Sequence, residues 1–87
     1  MRKIDFNAGY YGWNVYIDGE FAYSFDDFSE NIEEDTTAEE LAELLIDEMK
    51  YGDEKKAILS KQEEQNLKMI MIEKLSNHYD LDKENRQ

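Results

Sequence analysis

Two alternating runs split by Asp18-Gly19 constrain the fold more than any other feature of this sequence. In YGWNVYI, residues 11–17, the apolar side chains Tyr11, Trp13, Val15 and Ile17 recur every second position. In EFAYSF, residues 20–25, Phe21, Tyr23 and Phe25 do the same. Side chains alternate between faces along a strand, so each run reads as a strand with one apolar face. Asp-Gly between two such runs is a hairpin signal, because both residues tolerate positive φ. Upstream, Ile4 and Phe6 in RKIDF supply a third, shorter strand.

The hairpin loop sets which side chains share a face. A two-residue Asp18-Gly19 turn pairs Tyr16 with Phe21 and sends Phe21, Tyr23 and Phe25 to the face opposite Trp13 and Val15. A three-residue Ile17-Asp18-Gly19 loop pairs Val15 with Phe21, with Gly19 as the left-handed residue of a bulge. The second version gathers Tyr11, Trp13, Val15, Phe21, Tyr23 and Phe25 on one face and is the expected one, since a one-residue slip exposes half the set.

Helices are expected after residue 35. Thr36 with Glu39, or Thr37 with Glu40, has the spacing of a capping box. Ala38, Leu41, Ala42, Leu45 and Met49 then fall on one side at helical spacing, with Leu44 and Ile46 at the margins. Gly52 is expected to end this helix as a left-handed residue. Asp53 is placed to cap a short further segment, and Ser60 with Glu63 opens a last helix over about residues 61–79. Its apolar stripe is Leu67, Ile70, Met71, Leu75, His78 and Tyr79, widened by Met69 and Ile72. His78 reads as a packing or capping residue. The expected architecture is a small α+β domain: a three-stranded antiparallel sheet followed by two or three helices packed on one face. It spans residues 1–81, with a polar, frayed tail at 82–87.

Composition enters through charge. Of 22 acids and 10 bases, thirteen acids and one base, Lys50, lie in residues 26–54, so that stretch alone carries the whole net charge of −12. With 40% apolar and 13% aromatic residues the chain has enough apolar content to fold despite that charge. So acidic a protein repels DNA, RNA and anionic membranes and is drawn to basic surfaces, many of which belong to nucleic-acid-handling proteins. The chain has no Cys, hence no disulfide framework or thiolate metal site. No signal-peptide pattern or membrane-length apolar run is present, and a soluble cytoplasmic protein is expected.

Most charge runs are solvated faces. Several of these acids also have local explanations: Glu39 and Glu40 complement the helix dipole, and Asp53 is a cap. Asp47 and Glu48 do not, because they lie near a helix C-terminus. Glu39, Glu40, Glu43 and Asp47 fall within about 100° of a helical wheel. Glu39/Glu43 and Glu43/Asp47 are like-charge i,i+4 pairs costing roughly 0.2–0.5 kcal/mol each. Helix stability alone would favour Lys at some of these positions. Duplex DNA carries one charge per ~1.7 Å, so twelve charges correspond to about 20 Å of duplex. A helix of thirteen residues is about 20 Å long.

Size, the absence of Cys and Pro, and the run DDFSENIEED leading into TTAEELAELLIDE make the chain resemble the small acidic inhibitors of phages and mobile elements. These include anti-CRISPR proteins that act as DNA mimics. The resemblance implies a non-enzymatic inhibitor that blocks the nucleic-acid site of a basic effector such as a Cas nuclease, in the cytoplasm of the host cell. The charge pattern itself nominates Asp27, Glu30, Glu33, Glu34, Asp35, Glu39, Glu40, Glu43 and Asp47 as contacts. Tyr16, on the outer sheet face, is the best exposed aromatic candidate.

Other readings remain open. A regulatory or assembly protein would bind through the aromatic sheet face or the last helix, and that helix could also support a homodimer. An immunity protein or antitoxin against a basic nuclease would share the electrostatics and differ in partner. An EF-hand is excluded because no Gly lies between Glu20 and Tyr51. With one His, no Cys, no Gly-rich phosphate loop and no nucleophile elbow, neither catalysis nor a cofactor is expected.

Overall fold

The computed structural model describes residues 1–52 and 58–81. Three strands, β1 (Ile4–Ala8), β2 (Gly12–Ile17) and β3 (Glu20–Asp26), form an antiparallel sheet in chain order. A 3₁₀ turn at Ser29–Asn31 leads to α1 (Ala38–Tyr51) and α2 (Lys61–Tyr79). The expected α+β order of three strands and then helices is therefore present, with two α-helices among the described residues. The segment that Asp53 is expected to cap, and the tail 82–87, lie outside them.

The hairpin departs from expectation. Asp18 (φ 52°) and Gly19 (φ 82°) both take positive φ, so the loop is a two-residue turn in which Ile17 pairs with Glu20 and Tyr16 with Phe21. Positive φ at both central residues lets a two-residue turn match the right-handed twist of the flanking strands, which is why this loop length is favoured over the three-residue one. Asp18 is also held from outside the turn: its carboxylate accepts from the Lys3 N–H at 2.9 Å, and its own N–H donates to the Lys3 carbonyl at 2.8 Å. The sheet recovers its apolar face by other means. The register shifts between Val15 and Tyr16, so that Val15 pairs with Tyr23 and Ala22 is the extra residue. This bulge returns Tyr23 and Phe25 to the side of Trp13 and Val15. Phe21, before the bulge, stays on the other face with Tyr16 (ring centroids 6.2 Å) and is 55% exposed. Tyr11 is also not a core residue. It precedes β2 in the tight β1–β2 connection and is exposed beside Tyr10. Gly12 follows it where β2 and β3 meet, and a Cβ there would run into the Phe25 carbonyl oxygen.

One continuous core joins the alternating strand residues to the helices. Phe6 is fully buried, stacked on Trp13 at 4.5 Å and edge-on to Phe25 at 6.3 Å. From α1, Ala38, Leu41, Ala42, Leu45, Ile46 and Met49 are buried, while Leu44 is exposed. From α2, Leu67, Met71 and Leu75 are fully buried at i,i+4 spacing, and Ile70, Ile72 and Tyr79 pack partly against them. Met69 points outward. His78 is exposed with its ring edge-on to Trp13, whose Nε1–H donates to the Tyr79 hydroxyl at 2.9 Å. Phe28 and Ile32 anchor the connector to this core.

Helix ends follow local chemistry, with one exception. Thr37 caps α1 by accepting from the Glu40 N–H, and Ser60 with Glu63 forms a complete capping box on α2. Gly52 is extended (φ −74°, ψ 165°) rather than left-handed. Glycine is required there by close approach, since a Cβ would lie 2.5 Å from the Glu48 carbonyl oxygen.

Glu63 does more than cap. It is 5% exposed and is gripped by Arg2, whose Nε and Nη2 donate to its two carboxylate oxygens at 2.9 Å each. Ser60 N–H adds a further bond at 2.9 Å. Arg2 first, and the Ser60 N–H next, hold the Glu63 carboxyl well below the usual carboxylate range. The folded state therefore favours the charged form. Its contribution to stability is complete above the ordinary value of 4.5 and is lost as pH falls from there through the depressed folded value. Glu63→Gln is expected to melt on the order of 5 °C below the parent at neutral pH. The gap should close progressively below about pH 4.5. A gap independent of pH in thermal melts would rule out the charged grip as its source.

Candidate functional site

The acidic side chains nominated from sequence divide into two groups once folded. Three have internal work. Asp27 accepts from the Ser29 N–H at 2.9 Å, and this bond holds its carboxyl below the usual range. Glu39 and Glu43, one turn apart on α1, both reach Lys68 of α2, at 3.6 and 3.0 Å. The like-charge repulsion expected between them is thus offset by a cation from another helix. The Lys68 ammonium is in turn held above its usual range, chiefly by its hydrogen bond to Glu43. Lys50 makes a second cross-link between the helices, to Glu64 at 3.3 Å.

The other six, Glu30, Glu33, Glu34, Asp35, Glu40 and Asp47, are exposed and have no ion pair among the described residues. Local backbone chemistry positions them. Phe28 and Ile32 pin the connector while Ser29–Asn31 turns it, so Glu30 faces solvent. The Glu33 N–H donates to Thr36 Oγ1 at 2.8 Å and the Thr36 N–H to the Glu33 carbonyl at 3.1 Å, a turn that presents Glu33, Glu34 and Asp35 together. Glu40 and Asp47 project from α1 between its buried positions. Among the described residues, no three His, Asp or Glu side chains converge to hold a metal ion.

Tyr16 does not join this surface. It alternates with buried Val15 and Ile17, so it lies on the outer sheet face, half-buried against Phe21.

Sequence reasoning misses an open groove of about 940 Å³ between β3, the connector and α1. Asp26, Asp27, Glu40 and Glu48 line it together with Phe28 and the exposed Leu44, and no Lys or Arg does so among the described residues. The Tyr23 hydroxyl donates to Glu48 at 3.1 Å across its floor. Asp47 and Glu48, odd at a helix C-terminus, therefore part company: Glu48 has a partner and Asp47 faces solvent. The one sequence signal for the groove is Leu44, an apolar residue at the margin of the buried stripe with Glu40 and Glu48 one helical turn to either side.

No helix among the described residues is long and apolar enough to cross a membrane. No protein-family model matches the chain, and comparison with curated proteins and with solved structures gives no match.

Proposed function

We propose that this protein is a non-enzymatic inhibitor whose acidic surface occupies the nucleic-acid site of a basic partner protein. The partner class is an effector nuclease such as a Cas nuclease, met in the host cytoplasm. The observation that carries this reading is the set of six exposed, ion-pair-free acids along the connector and α1 among the described residues. The fourteen residues of α1 extend about 21 Å, so the surface has roughly the reach of six base pairs of phosphates. Among the described residues Arg2, Lys50 and Lys68 pair with Glu63, Glu64, Glu39 and Glu43, and none of these three cations engages the six.

The complex is expected to be salt-labile. Its affinity should fall at least roughly tenfold between about 50 and 200 mM salt. Captured partners eluted by stepped salt and, separately, by short duplex DNA should be the same protein. A partner that resists both eluents would transfer the binding role to another face. The outer sheet face favours that second reading, because Phe21 is 55% exposed beside Tyr16 and would suit an assembly contact. An immunity protein against a basic nuclease would behave as the first reading does, with the toxin as the eluted partner.

A further inference from the structure

β3 is an edge strand beside an open groove. Among the described residues it pairs with β2 alone, and its other side has no strand neighbour. The Asp27 N–H donates to the Tyr11 carbonyl at 2.9 Å, which sets the alternation of the ladder at this end. Residues one step away from a bonded pair turn their N–H and C=O groups outward. Those residues are Ser24 and Asp26. Among the described residues, no backbone bond beyond the β2 ladder reaches either. Their outward edge faces the groove bounded by the connector and α1.

An unpaired edge of this kind templates another strand. A second copy is a poor occupant. Antiparallel pairing of two β3 strands about Tyr23 sets Glu20 opposite Asp26 at both ends, and like charges directly opposite are destabilising. It would also join two chains of −12 each. The groove lining selects the opposite sign: Asp26, Asp27, Glu40 and Glu48 offer four carboxylates, and Leu44, 65% exposed, offers an apolar seat on the α1 wall.

We propose that β3 accepts an extended segment of a partner protein in which Lys or Arg alternates with apolar residues. Main-chain bonds form to Ser24 and Asp26; the basic side chains, all on the α1 side, reach Glu40 and Glu48 with their aliphatic stems lying across Leu44, and the apolar ones fall on the outer sheet face beside Phe21. This contact reads a backbone and its charge pattern, so it stands whether or not the acidic surface competes with nucleic acid.

The probe is a synthetic hexapeptide of alternating Val and Lys, titrated into the full chain while amide exchange is followed. Binding should slow exchange at Ser24 and Asp26. N-methylation of alternate peptide amides should weaken binding at least roughly tenfold, because it removes the ladder donors and leaves the charge. Leu44→Gln, at an exposed position that leaves the core intact, should weaken it roughly fivefold. Equal binding by the N-methylated peptide would show charge attraction alone and overturn the proposal. So would protection of Ser24 and Asp26 that rises with protein concentration without peptide, since that marks self-pairing. An absence of binding by the unmodified peptide would overturn it as well.

Discussion

Reversing Glu33, Glu34, Glu40 and Asp47 to Lys is expected to cut partner binding by at least roughly a hundredfold while the fold survives. The four reversals move the net charge from −12 by eight, to −4. All four side chains are exposed and none has an ion pair among the described residues, so no internal ion pair described here is broken. The choice matters. Reversing Glu39 or Glu43 would release Lys68 and confuse a binding loss with a loosened helix pair. Circular dichroism and the melting temperature should stay close to those of the parent. Relief of repulsion on the connector is offset by Glu40→Lys, which sets a cation against the dipole in the first turn of α1. Binding that survives all four reversals would remove the acidic surface from the mechanism.

The second large effect concerns stability. Phe6→Ala is expected to cost about 3–5 kcal/mol, in the range for a buried aromatic truncated to Ala. Phe6 is fully buried, stacked on Trp13 and edge-on to Phe25, so the cavity opens on the buried face of the sheet, among residues of all three strands, and cannot collapse by moving a loop. Domains of this length have roughly 4–13 kcal/mol in total, so the loss is a large share of it. Urea denaturation should show a markedly lower midpoint with the slope retained. A change below about 1 kcal/mol would mean that the aromatic stack is not the centre of the core.

What is legible in the sequence is local. Lys61–Tyr79 is readable because Ser60 and Glu63 announce a helix start within four residues, and Leu67, Met71 and Leu75 mark its buried line. The start of α1 is readable only to within one residue, because Thr36 with Glu39 and Thr37 with Glu40 fit the same spacing and the fold uses Thr37. The hairpin shows where local signals stop. Asp18-Gly19 correctly marks a turn, but which face Phe21 takes depends on one extra residue at Ala22, where no glycine or other turn residue flags a bulge. The place of Gly52 after a helix suggests a left-handed residue, whereas the real constraint is the Glu48 carbonyl packed against it.

The site divides in the same way. Exposure of the connector acids follows from pattern alone. The Lys68 bridge to Glu39 and Glu43 does not, because the Glu43 bond spans 25 residues and depends on how α2 lies along α1. The Arg2 grip on Glu63 spans 61 residues and is invisible for the same reason. The groove beside β3 is also a product of packing, formed where the connector leaves the sheet and α1 returns. The functional reading rests on the acids that tertiary structure leaves without an ion pair among the described residues, a smaller set than the sequence suggests.

The central claim is that the acidic surface and nucleic acid compete for one site. The most direct measurement is fluorescence anisotropy of a labelled duplex bound to the purified partner, titrated with this protein. Mutual exclusion predicts that the apparent Kd for the duplex rises in proportion to inhibitor concentration without a plateau, and that the variant carrying all four reversals leaves it unchanged. A ternary complex, with anisotropy rising above that of the duplex–partner complex, would contradict the account.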